Sequence, residues 1–95
     1  MVYVDSFNAR FGRMIMCHLM ADSTDELLKM VDAIGVQRKW IQHKGTPYEH
    51  FDICLSKKKK AIELGAKEIT LRQEAELLEK RIQQHEDNKS TGGNR

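Results

Sequence analysis

Ninety-five residues with 40% hydrophobic and 32% charged side chains have an ordinary globular composition, enough for one hydrophobic core and too little for two. The net charge of +2 divides weakly, with 6 basic and 7 acidic groups over residues 1–55 and 10 and 7 over 56–95, an asymmetry too slight to favour a nucleic-acid partner. The longest apolar stretch, Met14 to Ala21, is interrupted by His18 and falls far short of the roughly 20 residues that cross a bilayer.

In chain order, Val2-Tyr3-Val4 is a β-branched and aromatic run that predicts a strand, and Asp5 to Arg13, with Asn8, Gly12 and two arginines, predicts a loop. No basic region leads a long apolar one at this end, so no secretory signal is expected, and the expected location is the cytoplasm. Met14 to Ala21 is apolar at both parities, as in a strand covered on both faces. Period-two geometry puts His18 on one face with Met14, Met16 and Met20, and Ile15, Cys17 and Leu19 on the other. Ser23 with Glu26 forms a capping box, Asp25 suits the helix N-terminus, and Gly35 follows the last turn. Leu27, Met30, Val31 and Ile34 recur at helical spacing and predict the buried face, with Lys29 and Asp32 in water.

Val36 to Ile41 carries conflicting signals, alternating like a strand yet able to start a helical turn. His43 to Pro47 is turn chemistry, and His50 to Leu55 predicts a second core strand with Phe51, Ile53 and Leu55 on one face and His50, Asp52 and Cys54 on the other. Ser56 is the expected cap of a second helix that Gly65 ends; its four lysines, Lys57 to Lys60, oppose the macrodipole and leave a positive patch. Lys67 to Thr70 predicts a short strand. Thr70 and Gln73 open a third helix over 71–86, with apolar positions at Leu71, Ala75, Leu77, Leu78 and Ile82. The composition after His85 turns polar. The expected organisation is a single α/β domain over 1–86, a partly parallel sheet of about four strands with about three helices, and a flexible tail over 87–95.

Three of the four histidines, His18, His43 and His50, fall between residues 18 and 50, with Asp52 just beyond. An imidazole on an apolar strand is costly to bury without partners, so His18 is either a satisfied core residue or a general acid, base or anion donor oriented by Asp22 or Asp52. His50 and Asp52 share a strand face and either interact or project together into a strand-end pocket. Histidines 18, 43 and 50 with Asp52 can supply metal ligands in principle, but no C-x-x-C or H-E-x-x-H spacing exists, and no metal or cofactor is assigned. Cys17 and Cys54 lie in apolar runs and are expected to be free core thiols. Trp40 stacks on a base or, more safely, fills the core. The candidate ligand-binding set is Arg13, His18, Arg38, Lys39, His50 and Asp52, expected to take an anionic small molecule such as a nucleotide, for sequestration or hydrolysis. The alternative is a non-catalytic interaction module whose 71–86 helix docks a partner or a second copy.

Val2 to Asp5, Gly12-Arg13 leading to Cys17-His18-Leu19 and Asp22, Glu26-Leu27 with Ile34-Gly35, Arg38-Lys39-Trp40, His50-Phe51-Asp52, and Ala61 to Ala66 together resemble domain-of-unknown-function family 4031 over roughly residues 1–72. That resemblance implies a small accessory protein of bacteria or their tailed bacteriophages. It implies no established activity. Family members often have a tyrosine between the histidine and aspartate where this chain has Phe51.

Overall fold

The computed structural model describes the backbone of residues 1–93 and the side chains of 1–10 and 12–86. Five strands, β1 (Val2–Asp5), β2 (Ala9–Phe11), β3 (Met14–Ala21), β4 (Phe51–Cys54) and β5 (Lys67–Ile69), are combined with three helices, α1 (Thr24–Ile34), α2 (Leu55–Glu63) and α3 (Leu71–Gly93). The chain is thus a small α/β domain with a mixed sheet, as its alternating patterns predict. β3 is the centre: Met16 pairs with both Ala9 and Cys54, and Leu19 with both Val4 and Phe51. A strand residue has one neighbour on each side, so β1 and β2 must lie along one edge of β3 and β4 along the other. β1 and β2 are therefore two halves of one interrupted row, and β5 pairs parallel with its β1 half.

The loop expected over Asp5 to Arg13 is therefore corrected. Phe11 pairs with Met14, which leaves a two-residue turn with Gly12 at φ +60° in its first central position, the conformation a tight hairpin asks of glycine. The charged, short β2 hid this hairpin from a reading based on apolar alternation.

The two sheet faces differ in chemistry. Val4, Cys17, Leu19, Ala21, Phe51 and Ile53 project to one side and meet Leu27, Val31 and Ile34 of α1 and Ala61 of α2 in a continuous buried cluster. α1 is placed by its caps: Ser23 Oγ accepts the Glu26 N–H and donates to the Glu26 carboxylate, and Gly35 closes the helix at φ +81°. The opposite face carries Tyr3, Asp5, His18, Met20 and Asp52 by strict alternation. α3 begins at the predicted Thr70–Gln73 capping box and lies over this second face.

Four further expectations change. Leu55, not Lys57, starts α2; Cys54 is its N-cap residue without a side-chain cap bond, and Ser56 sits inside the first turn. The lysine run is not four free charges, because Lys58 is only 8% exposed and its Nζ lies 2.7 Å from Glu68. Trp40 is 62% exposed, since Arg38–Trp40 forms a 3₁₀ turn that points it outward beneath Lys39, whose Nζ is 5.2 Å from the ring. On α3 the half-buried positions are Glu74, Leu77, Leu78, Arg81 and Ile82, while Leu71 and Ala75 are exposed: the helix turns a mixed face, not a purely apolar one, to a polar sheet surface. Its backbone continues to Gly93, and the remainder of the expected tail, 94–95, lies outside the described residues.

Both thiols are free, and their settings are unequal. Burial pushes the Cys17 thiol up to about 12, whereas hydrogen bonds from Ser56 and the Lys57 N–H hold the half-buried Cys54 below its ordinary value. We expect a thiol-reactive disulfide reagent at mildly alkaline pH to modify Cys54 rapidly in native protein and Cys17 only after unfolding. Equal native rates would contradict this packing. Likewise the single tryptophan should emit as a solvated indole and be freely quenched by acrylamide; a blue-shifted, protected emission would place Trp40 in the core after all.

Candidate functional site

The site originates where the β1–β2 row breaks. Asp5 ends β1, residues 6–8 loop out, and the row resumes at Ala9, so the backbone of β3 has no main-chain partner opposite the break. Asp5 supplies one from its side chain. Its Oδ1 accepts the His18 N–H at 2.9 Å and the Phe7 N–H at 3.3 Å, and its Oδ2 lies 2.7 Å from His18 Nδ1. Asp5 is 0% exposed, and a buried carboxylate requires such donors. The looped-out Phe7 stacks on the His18 ring at 5.9 Å.

β4 brings the second half of the site. Asp52 is the direct cross-strand partner of His18, and His50 precedes it by two residues on the same face. His18 Nε2 and His50 Nε2 lie 3.6 and 3.4 Å from the same atom, Asp52 Oδ1. His50 Nδ1 donates to the Tyr48 carbonyl at 2.7 Å, and Gln42 Nε2 donates to Asp52 Oδ2 at 2.6 Å. One ligand-capable atom from each of His18, His50 and Asp52 falls within 4.8 Å of the other two.

The loop before β4 forms a wall. A bridge between Gln42 and His50 closes its ends, His43 and Gly45 turn it at φ +54° and +78°, and the buried Glu49 ties it to α1 and to itself, accepting from Thr24 Oγ1 and the Gly45 N–H. Between this loop, the sheet and α3 lies a cavity of about 440 Å³ lined by His18, Met20, His43, Tyr48, His50 and, from α3, Glu74, Leu78 and Arg81. That volume is in the range of small-molecule sites.

The charges are set by contact. The hydrogen bond to Asp5, reinforced by the charges of Asp5, Glu74 and Asp52, outweighs burial and raises His18 to about 9. Burial opposes ionisation of Asp5, but the hydrogen bonds from His18 prevail and hold its carboxyl below its ordinary value. Glu74, 3.3 Å from His18 Nδ1, is pushed up to about 7 by burial and by the neighbouring Asp5 carboxylate.

Of the residues anticipated from sequence, His18, His50 and Asp52 converge. Arg13 is exposed at the β2–β3 turn, Arg38 is engaged by Asp32 of α1 at 2.6 Å, and Lys39 lies over Trp40; none of these three lines the cavity. Asp22 accepts from Tyr3 Oη instead of orienting His18. Sequence reading missed Asp5, Glu74 and Arg81. Asp5 was within reach, because parity along Tyr3-Val4-Asp5 puts it on the Tyr3 face. Glu74 and Arg81 were not, because the placement of α3 decides them.

A family model described as "Protein of unknown function (DUF4031)" matches residues 2–81. No curated protein and no solved structure is significantly similar to the chain.

The pair of raised values fixes a sign. His18 stabilises the fold fully below its ordinary 6.5 and loses that contribution as pH rises through about 9; Glu74 adds a cost that grows as pH rises from 4.5 through about 7. In chelating buffer the melting temperature should therefore decline across this whole interval, and Glu74→Gln should flatten its lower part. A midpoint that climbs with pH there would refute the assignment. His18→Ala, which removes the ring partner of the buried Asp5 Oδ2 and leaves Oδ1 its two backbone N–H donors, should cost about 2 kcal/mol by chemical denaturation.

Proposed function

The chain belongs to the DUF4031 family of proteins of unknown function, a membership that assigns no activity, and we propose from its own geometry that it binds an anionic small molecule, such as a nucleotide, between the sheet and α3. Arg81 carries this reading. It is half-buried on the cavity wall, and among the described residues no carboxylate pairs with it, whereas the wall's two carboxylates are engaged: Glu49 by Thr24 and Gly45, Glu74 by His18. A guanidinium on the wall of a concave site, with no carboxylate partner among the described residues, is suited to phosphate or carboxylate. The rings of His43, Tyr48 and His50, with the first 6.4 and 5.9 Å from the others, offer flat surfaces for a base, and Met20 and Leu78 supply apolar wall.

Sequestration needs only these contacts; hydrolysis would use the same cavity and release a product detectable in the same mixtures. An accessory role in the cytoplasm of a bacterium, or of a bacterium infected by phage, fits two free thiols.

A second reading, a protein-interaction module or homo-oligomer acting through α3, draws on that helix burying none of its described side chains completely and leaving Leu71 51% exposed. A monomer by light scattering that keeps Leu71 accessible would remove its self-association form. No helix among the described residues is long and apolar enough to cross a membrane.

The test is a thermal-shift screen of nucleotides, cyclic nucleotides and sugar phosphates on wild type and Arg81→Gln. A true ligand at a hundredfold excess over Kd stabilises the native state by about 2.7 kcal/mol, and Arg81→Gln should abolish most of that shift. Shifts that survive the substitution, or none from any anion, would sink the proposal.

A further inference from the structure

We propose that His18 Nε2, His50 Nε2 and Asp52 Oδ1 form a binding site for one divalent first-row transition-metal ion, for which zinc is the natural probe. The spacing fits. Ligand atoms about 2.0–2.1 Å from a tetrahedral zinc stand about 3.4 Å from one another, and the two histidine nitrogens lie 3.6 and 3.4 Å from the shared Asp52 oxygen. Two imidazoles and a carboxylate are a donor set suited to zinc and its first-row neighbours.

Each ligand is also held from behind. Asp5 takes His18 Nδ1, the Tyr48 carbonyl takes His50 Nδ1, and Gln42 takes Asp52 Oδ2. Carboxylate and carbonyl partners on the far nitrogen are the outer contacts that orient metal-bound histidines. A carbonyl can only accept, so His50 Nδ1 carries a hydrogen and is committed to Tyr48, which leaves Nε2, 3.4 Å from Asp52 Oδ1, as the ring nitrogen placed to coordinate an ion.

The other cluster of this kind, Asp5, His18 and Glu74, is not assigned a metal, because Asp5 and His18 Nδ1 are already joined at 2.7 Å by a hydrogen bond. His18 and His50 both line the cavity, whereas Asp52 does not. The site requires no occupant of that cavity and stands or falls separately from the anion reading.

The experiment uses the full chain, stripped with chelator, titrated with zinc by calorimetry and with cobalt(II) by visible absorption, without added anions. One ion per chain is expected, with low-coordinate cobalt bands and no thiolate charge transfer. His50→Ala and Asp52→Asn should each abolish binding, and Gln42→Ala should weaken it by roughly 10- to 100-fold. Cys54→Ser and His85→Ala should leave it unchanged. Imidazole NMR of the wild type gives a readout independent of variant folding: zinc should move the His18 and His50 ring resonances and spare His85. Absence of stoichiometric binding, binding that survives both His50→Ala and Asp52→Asn, loss on Cys54→Ser, or zinc shifts that avoid His18 and His50 would each overturn the assignment.

Discussion

The contact on which this molecule turns is a fully buried carboxylate beneath a half-exposed imidazole. Asp5 stands at the one point where the β1–β2 row leaves β3, and it fills both vacancies there, the unpaired His18 N–H and the His18 ring. An ionised group in such a place persists only if its partners stay put. The same bonds that hold the strand break together therefore fix the imidazole's position and commit its Nδ1 to Asp5. Structure and candidate chemistry share one constraint.

From it follows the division of labour between the two sheet faces. The apolar face is closed by α1 and α2 around Leu19, Phe51 and their neighbours, where packing density and lost water supply the stability. The other face cannot be closed that way, because Asp5, His18 and Asp52 occupy its middle rows. α3 instead brings a mixed face, Glu74 and Arg81 beside Leu78, and together with the loop before β4 it encloses a cavity where a dry contact would otherwise form. The incomplete burial of α3 and the existence of the cavity have the same physical origin.

That loop owes its shape to another buried acid. Glu49 is 3% exposed and binds Thr24 at the start of α1 and the Gly45 N–H, so the segment bearing His43, Tyr48 and His50 is anchored to the helix that caps the main core. No buried side-chain nitrogen or oxygen among the described residues lacks a hydrogen-bond partner. Polar groups inside this small domain thus behave as a connected set: Asp5 positions His18, Glu49 positions the loop, and Gln42 positions Asp52.

Local signals sufficed for much of this. Capping boxes at Ser23 and Thr70, the glycine after Ile34 and the apolar runs of β3 and β4 placed most elements, because caps and period-two burial act over a few residues. His18, His50 and Asp52 were legible as site residues for the same reason: a polar side chain within an apolar run stands out. Pairing partners, by contrast, depend on which edges meet. The break that makes Asp5 a partner of His18 and the arrival of Glu74 and Arg81 come from contacts between segments distant in the chain, whereas the 3₁₀ turn that sends Trp40 outward and the Asp32–Arg38 ion pair are local contacts that apolar periodicity does not register. A one-dimensional pattern records how often apolar residues recur, but which charges share a buried space is decided by how the sheet edges and α3 close around them.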